Sequence, residues 1–368
     1  CTCPRRRRVA SCEWRAANGK PNPSIGQMLA THGEAMKAYQ IRDDFGFDNL
    51  VETDRPRPEA GPGEVVMETR AVSPNYRDLL MVRGMYNPNQ ELPLVPFSDA
   101  VGEVVEVGDD VERFETGDRI CPIFSRNWVA GEPTLERLKT ALGGPLDGTL
   151  QEFVKMPARS AVAAPENLSD AEASTLTCAG LTAWYAVTEQ GDVQAGDTLA
   201  TLGTGGVSSF ALLFGDALGA EVILTSSSDR KLEQMAERGA DHGINYEDNP
   251  EWGKDIKAIT DGRGADHIVE VGGAETLPQS VKGVCIGGQI SLIGVLSGHI
   301  EDFAVTPVLM QNIRIQGVLV GNRDMFENMN RAIEANDIHP VVDEVFEFDE
   351  VHDALEYMAR QTHREHRD

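Results

Sequence analysis

Lysine is scarce in this chain of 368 residues. Eight occur, at positions 20, 37, 139, 155, 231, 254, 257 and 282, so arginine supplies most of the 33 basic residues. Against them stand 59 acidic residues, for a formal net charge of −26. Nucleic acid needs a basic face for its phosphates, and this balance excludes it as an expected partner. Acid-rich, lysine-poor composition is typical of high-salt cytoplasm, where screening relieves self-repulsion; an ordinary acidic bacterial enzyme is the alternative. Long apolar runs are missing too. None approaches the roughly eighteen residues that span a bilayer, so no membrane partner is expected. There is no repeat of 20–50 residues and no long low-complexity stretch. Cysteine is sparse, at 1, 3, 12, 121, 178 and 285, and the last three are isolated. That excludes a disulfide framework and a closely spaced zinc lobe, and without a signal peptide the expected compartment is the cytoplasm. Hydrophobic residues at 41% and aromatics at 6% are what a large core, shared between two domains, requires.

Both ends read as foreign to the fold. Residues 1–35 carry Arg5-Arg6-Arg7-Arg8 and no apolar periodicity, and are expected to be a disordered leader, a basic arm being the alternative. The tail from Arg360 to Asp368 is polar, and its two histidines are expected to face solvent. From Met36 to about Pro165 the pattern is strand and turn, with a first strand near 37–41, a second at 64–71, and alternating Ala100–Val107. Short strands at that spacing imply a β-barrel or sandwich. After Pro165 the period changes. Ser169–Gln190 is expected to be helical, opened by a capping box from Ser169 to Glu172. Strands near 198–202, 221–226, 243–246, 266–271, 288–293 and 313–318 then alternate with helices 207–218, 229–238, 250–260 and 275–283. That alternation specifies a doubly wound parallel sheet. A last helix, 325–336, returns towards the first half, and 354–358 is a shorter one.

Leu199–Ala211, LATLGTGGVSSFA, is the most informative stretch. An apolar strand ends in Gly203-Thr204-Gly205-Gly206-Val207 and continues as a helix. Such a turn lets backbone approach a pyrophosphate, held by N–H groups and the positive end of the helix dipole. The flanking elements supply the context this motif needs for dinucleotide binding.

Taken with Pro74-Asn75-Tyr76-Arg77-Asp78, the run Val101–Gly108, Gly117-Asp118-Arg119 and Thr177–Trp184, the turn makes the chain resemble the medium-chain dehydrogenase/reductase superfamily, in its zinc-independent, quinone-oxidoreductase-like branch. The resemblance covers about Met36–Met358. It implies an α/β protein: a GroES-like β-barrel catalytic domain at 36–164, a doubly wound Rossmann domain at 165–321, and a return to the catalytic domain over 322–368. It also implies a homodimer, paired through the sheet edges near Ser291–Val295 and Arg314–Val318. The terminal apolar strand usual in the family is replaced here by a polar tail. Zinc-dependent relatives use a Cys, a His-Glu pair and a later Cys; the matching positions here are Asn75, Ser98-Asp99 and Cys178. One thiol is too few for a site with three protein ligands, so no metal is expected. Histidines 242, 267 and 299 are scattered rather than spaced as ligands. Phe124–Gly148 replaces the structural-zinc lobe, and its Trp128 either lines a substrate wall or packs against the barrel.

The second Rossmann strand ends neutral and hydroxylated, at Ser226 and Ser227, with Arg230 and Lys231 just beyond. Those residues suit the 2′-phosphate of NADPH, where a carboxylate would repel it. Asp229 is expected to cap the next helix. Tyr246 resembles a family position near that phosphate, and the resemblance adds Thr182, Gly272, Gly294, Val295, Gly321 and Asn322 as cofactor contacts. Without zinc, hydrogen-bond donors must stabilise the oxyanion or enolate that forms on hydride transfer. Asn75, expected near the cofactor as well, and Tyr86 are the leading pair, with Tyr76 and Arg77 beside them. Arg77 either positions substrate or is tied to Asp78, and Asp99 is an acid–base group if buried. The expected substrate is a small quinone, enone, aldehyde or ketone. Alternatives are an acyl-CoA thioester, which would need a basic groove this half lacks, and a non-catalytic, crystallin-like NADPH-binding protein.

Overall fold

A computed structural model describes residues 35–294 and 303–364. Residues 1–34 of the expected leader, Val295, His299 and the last four residues of the tail lie outside the described residues, while Ala35 belongs to the first strand. Strands β1 (Ala35–Ile41) and β2 (Leu50–Pro56) pair antiparallel, from Ala35 opposite Pro56 to Ile41 opposite Leu50. Then follow β3 (Glu64–Ser73), α1 (Tyr76–Val82), β4 (Asp99–Val107), β5 (Arg119–Pro122), α2 (Leu135–Leu138), β6 (Phe153–Pro157) and β7 (Ala161–Ala163). The strands from β3 on make an antiparallel sheet in the order β6-β3-β4-β5-β7. The Val-Gly-Glu step in β4 has a local cause. A Cβ on Gly102 would fall 2.2 Å from the Glu68 carbonyl oxygen, so only glycine lets β3 approach there. Val65, Met67, Val104, Ile120, Val154 and Met156 fill the interior, each worth roughly 1.5–3 kcal/mol on burial.

The helix expected after Pro165 is present, turning once at 174–175 and then continuous over Leu176–Gln190, but twice widened. A capping box starts α3 (Asp170–Ala173), with the Ser169 N–H on Glu172 at 2.9 Å. Widened π turns at Leu176–Gly180 and Tyr185–Gln190 flank α4 (Leu181–Trp184). The cause is competition from tertiary partners. The Cys178 N–H donates to Asp99 Oδ2 at 2.7 Å, the Thr177 hydroxyl to the Pro122 carbonyl at 3.0 Å, and the Gly180 N–H reaches back five residues to Thr175. Such turns concentrate at functional sites.

The second half alternates β8 (Thr198–Leu202), α5 (Gly206–Leu218), β9 (Glu221–Ser226), α6 (Asp229–Ala236), β10 (His242–Asn245), α7 (Trp252–Ile259), β11 (Ala265–Glu270), α8 (Leu277–Gly283), β12 (Val284–Leu292), α9 (Thr306–Met310) and β13 (Arg314–Gly317). The strands form one parallel sheet, ordered β10-β9-β8-β11-β12-β13. The order reverses between β8 and β11, and the crevice at that switch point is where such sheets bind ligands. Helix α10 (Arg323–Asn336) packs Phe326, Met329 and Ile333 into the core shared with α4 and β5. Helix α11 (Val351–Arg364) is longer than 354–358. Its apolar positions, Val351, Leu355 and Ala359, at four-residue spacing, bury against Ala38, Leu50 and Leu79. No strand follows β13 among the described residues, and none of their helices is long and apolar enough to cross a membrane.

Candidate active site

The glycine turn opens the site. Gly203 sits at φ +73°, a left-handed conformation that favours glycine, and its N–H is bound to the Thr225 carbonyl at 2.9 Å. A Cβ on Gly203 or Gly205 would meet nothing within 4 Å. The turn therefore faces open space, the cradle a pyrophosphate requires. Thr204 and Val207 flank it, half-buried, and Gly206 begins the thirteen-residue α5, whose first turn carries no acidic side chain. A dinucleotide phosphate fits this arrangement.

At the end of β9, Ser226 is buried, and its hydroxyl accepts the Ser228 N–H at 3.3 Å. Ser227 is half-buried and Arg230 exposed; Lys231 and Tyr246 are half-buried and engaged with neighbours. Asp229 departs from expectation. Ser228 is the cap residue of α6, and the Asp229 carboxylate instead accepts from Asn245 Nδ2 at 2.7 Å, across to the next strand.

Gly272 and Gly294 are glycines for packing as well as access. A Cβ on Gly272 would strike Thr276, and one on Gly294 the Val271 carbonyl. Gly321 is likewise pressed on Leu181. Asn322 spends its side chain on structure: its oxygen caps α10 through the Met325 N–H, and its amide donates to the Gly131 carbonyl. Thr182 is buried on α4 close to Cys178. Trp128 is buried edge-on to Tyr185, its ring N–H on the Gly131 carbonyl at 2.7 Å, so it is a core residue rather than a substrate wall.

The first-lobe residues converge on Arg77. Its guanidinium lies between the rings of Tyr86 and Phe124, 5.0 and 4.9 Å from their centroids. It donates to the carbonyls of Leu142 at 3.0 Å and Gly144 at 3.3 Å and pairs with Asp78 at 3.3 Å. Burial, the largest single influence, works against its charge, but Asp78, Tyr86 and Cys178 together outweigh it and leave its pKa raised. Arg77 Nε is buried without a partner. Asp78 is fully buried; burial raises its pKa, and Arg77 and Asn75 offset part of the rise. Its carboxylate takes the Asn75 N–H at 2.8 Å. The Asn75 amide lies near enough to favour that carboxylate, yet its buried Nδ2 makes no hydrogen bond of normal geometry. Tyr86 is 46% exposed at the rim, while Tyr76 packs against the first-lobe core at the start of α1.

Asp99 is fully buried at the head of β4, beside Ser73 of β3. Phe97, at φ +70°, turns the chain into it. Its carboxylate accepts the Ser98 hydroxyl at 2.5 Å and the Cys178 N–H. Burial, opposed by Ser98 and reinforced by Asp78, pushes it up to about 7. The segment holding Cys178 joins the two halves of the site: a Cβ on Gly206 would sit 3.2 Å from Ala179 Cβ. One helical turn thus touches the glycine cradle on one side and the Arg77–Asp99 cluster on the other.

The donors standing where zinc-dependent relatives hold their metal are an amide, a hydroxyl, a carboxylate and a thiol. Burial first, then the Asp99 charge, pushes that thiol well above its ordinary value. A dication there would stand close to the Arg77 guanidinium. Among the described residues no trio of His, Cys, Asp or Glu is placed to hold a metal. His242 pairs with Glu221 at 3.0 Å, and His267 is buried in β11. A separate cavity of about 640 Å³ opens in the first lobe, between Arg55, Arg126, Leu146 and Phe153; none of the candidate site residues lines it.

Residues 61–166 match the family model for the alcohol dehydrogenase GroES-like domain, and 206–335 that for zinc-binding dehydrogenase. A zinc-type alcohol dehydrogenase-like protein of Schizosaccharomyces pombe, C1773.06c, is 43% identical over 333 residues, covering 88% of this chain and 96% of the relative. A Sinorhizobium meliloti 1021 chain assigned to the alcohol dehydrogenases is 42% identical, with a TM-score of 0.83 over 90% of this chain and 97% of that one. An NAD-dependent alcohol dehydrogenase superposes with a TM-score of 0.81 at 29% identity, over 89% and 97%. Motifs, fold and these matches agree: the chain belongs to the medium-chain dehydrogenase/reductase superfamily, a family of nicotinamide-dependent oxidoreductases.

Proposed function

We propose that this protein transfers hydride between NADPH and a small quinone, enone, aldehyde or ketone without zinc. The observation that carries the reading is the shared turn at Cys178–Ala179, which sets a phosphate cradle against a buried guanidinium and an unengaged amide donor. Bound there, the dihydronicotinamide supplies the hydride and the chain supplies placement and charge stabilisation. Arg77 provides the fixed positive charge that a metal provides elsewhere. It is already desolvated and locked by two carbonyls and two rings, so little reorganisation is needed as negative charge grows on the substrate oxygen. Asn75 Nδ2 and the Tyr86 hydroxyl are the donors offered to that oxygen. Asp99, protonated below about pH 7, holds a proton behind them.

Ser226, Ser227, Arg230 and Lys231 favour the 2′-phosphate, and the Asn245 contact occupies the nearby Asp229 carboxylate. We propose a homodimer as well. Residues 291–294 lie on or beyond β12, which is interior to the sheet, whereas β13 is the edge strand among the described residues, beside the exposed Ile286, Leu309 and Met310. The test is NADPH consumption over a panel of quinones, enones and aldehydes. Turnover with at least one class is expected. Tight NADPH binding with none turned over would leave the crystallin-like alternative.

A further inference from the structure

Glu270 ends β11 with its side chain fully buried, and the chemistry above does not use it. Its four side-chain donors are all neutral. Oε1 accepts the N–H of Gly272 at 2.8 Å, that of Gly273 at 3.0 Å and the Thr276 hydroxyl at 2.6 Å; Oε2 accepts the Ser280 hydroxyl at 2.5 Å. Its main-chain carbonyl takes two more N–H groups, from Ile293 at 2.9 Å and Gly294 at 3.3 Å. A buried carboxylate is tolerated only when its acceptor sites are filled, and here the filling groups come from the loop 271–276 and the helix α8 that follows it, while the loop 293–294 meets the main-chain carbonyl. Those loops interlock. A Cβ on Gly294 would lie 1.8 Å from the Val271 carbonyl oxygen, and one on Gly272 2.4 Å from the Thr276 hydroxyl.

The position of these loops gives the carboxylate its significance. The glycine turn leaves β8, and the hydroxyls beside the cations end β9. A dinucleotide lying across the switch point with its pyrophosphate on that turn and its adenosine over β9 must place its redox ring towards β11 and β12. Their C-terminal loops, 271–276 and 293–294, are what Glu270 pins.

Resting on the dinucleotide reading above, we infer that Glu270 is a positioning residue for the nicotinamide half of the cofactor. Its side chain ties the loop 271–276 to α8 and turns the N–H groups of Gly272 and Gly273 inward, away from the cleft, while its main-chain carbonyl holds the loop 293–294 alongside. Glu270→Asp keeps the carboxyl group but withdraws it by one methylene, too far to reach both the loop 271–276 and Ser280 of α8. Glu270→Gln keeps Oε1 for the three donors of the first loop, and its Nε2 donates to the Ser280 hydroxyl in reverse. Calorimetry on the full chain with NADPH and with 2′-phospho-ADP-ribose, which lacks the nicotinamide, separates the outcomes. Glu270→Asp is expected to weaken NADPH about tenfold or more while 2′-phospho-ADP-ribose changes less than about twofold; Glu270→Gln stays within about threefold for both. Should the Asp variant not fold, Thr276→Val removes one Oε1 donor and is expected to weaken NADPH alone by about threefold. Equal losses for both ligands, or no loss for NADPH, would overturn the inference. A wild-type protein that binds neither ligand would overturn the dinucleotide reading instead.

Discussion

The molecule buries carboxylates in two places and treats them in opposite ways. Glu270 is surrounded by donors, each side-chain oxygen occupied by groups of its own lobe. Asp78 and Asp99 share the first lobe with a guanidinium, yet leave Arg77 Nε and Asn75 Nδ2 buried and unanswered. A closed network holds shape, because every polar group already has its partner. An open one carries desolvated donors that something else must satisfy, which is the condition for binding a developing negative charge. The two carboxylate clusters thus differ in the completeness of their hydrogen bonding, not in burial.

Arg77→Met should break this contrast most sharply. It removes the charge that faces the substrate and leaves Asp78 buried without its ion pair. A loss in kcat/KM of about 10²–10³-fold is expected, with a lowered Tm. Glu270→Gln, which keeps its network, should stay within about threefold in steady-state assays of the same reaction. His267 is a third case, buried with both ring nitrogens unpartnered. Burial first, then the charge of Arg314, holds its pKa down to about 4, against about 6.5 unfolded. Above pH 6.5 neither state binds the proton. Between 6.5 and 4 the unfolded chain takes it up and the native state does not, so stability falls with pH by roughly 3 kcal/mol. Denaturant titrations of wild type and His267→Leu across that window should differ by about this amount.

Asn75→Ala, which deletes the open donor, should lower kcat for reduction by about ten- to a hundredfold in stopped-flow assays, with NADPH affinity less affected. Asp99 gives a milder, pH-dependent signature. With its proton held below about pH 7, the rate of reduction should decline as pH rises through that value, and Asp99→Asn should remove the limb. The smallest expected effect is at the cofactor's far end. Arg230→Ala with Lys231→Ala should weaken NADPH about tenfold and leave NADH unchanged, as read by calorimetry.

What could be read from the sequence follows how far each residue's partner lies along the chain. The strand, glycine turn and helix over Thr198–Leu218 were legible because they are contiguous, and the grouping of Arg77 and Tyr86 because they lie nine residues apart. The widened turns within Leu176–Gln190 were not, since the Cys178 N–H answers to a carboxylate 79 positions earlier. Asp229 reads as a cap until Asn245 is placed beside it, sixteen residues on. Asn322, expected at the cofactor, is engaged by Gly131, 191 residues away. Glu270 carried one usable signal, an acidic residue among the apolar Ile268, Val269 and Val271, two positions before a pair of glycines. Nothing local says that its carboxylate folds back beneath them.

Hydride transfer without zinc requires that a guanidinium and side-chain donors stand in for a metal. The most direct test is elemental analysis of the purified protein alongside NADPH turnover before and after exhaustive chelation, with the best substrate from the panel. Less than stoichiometric zinc and undiminished turnover after chelation are expected. Loss of activity on chelation, restored by added zinc, would contradict zinc-free transfer.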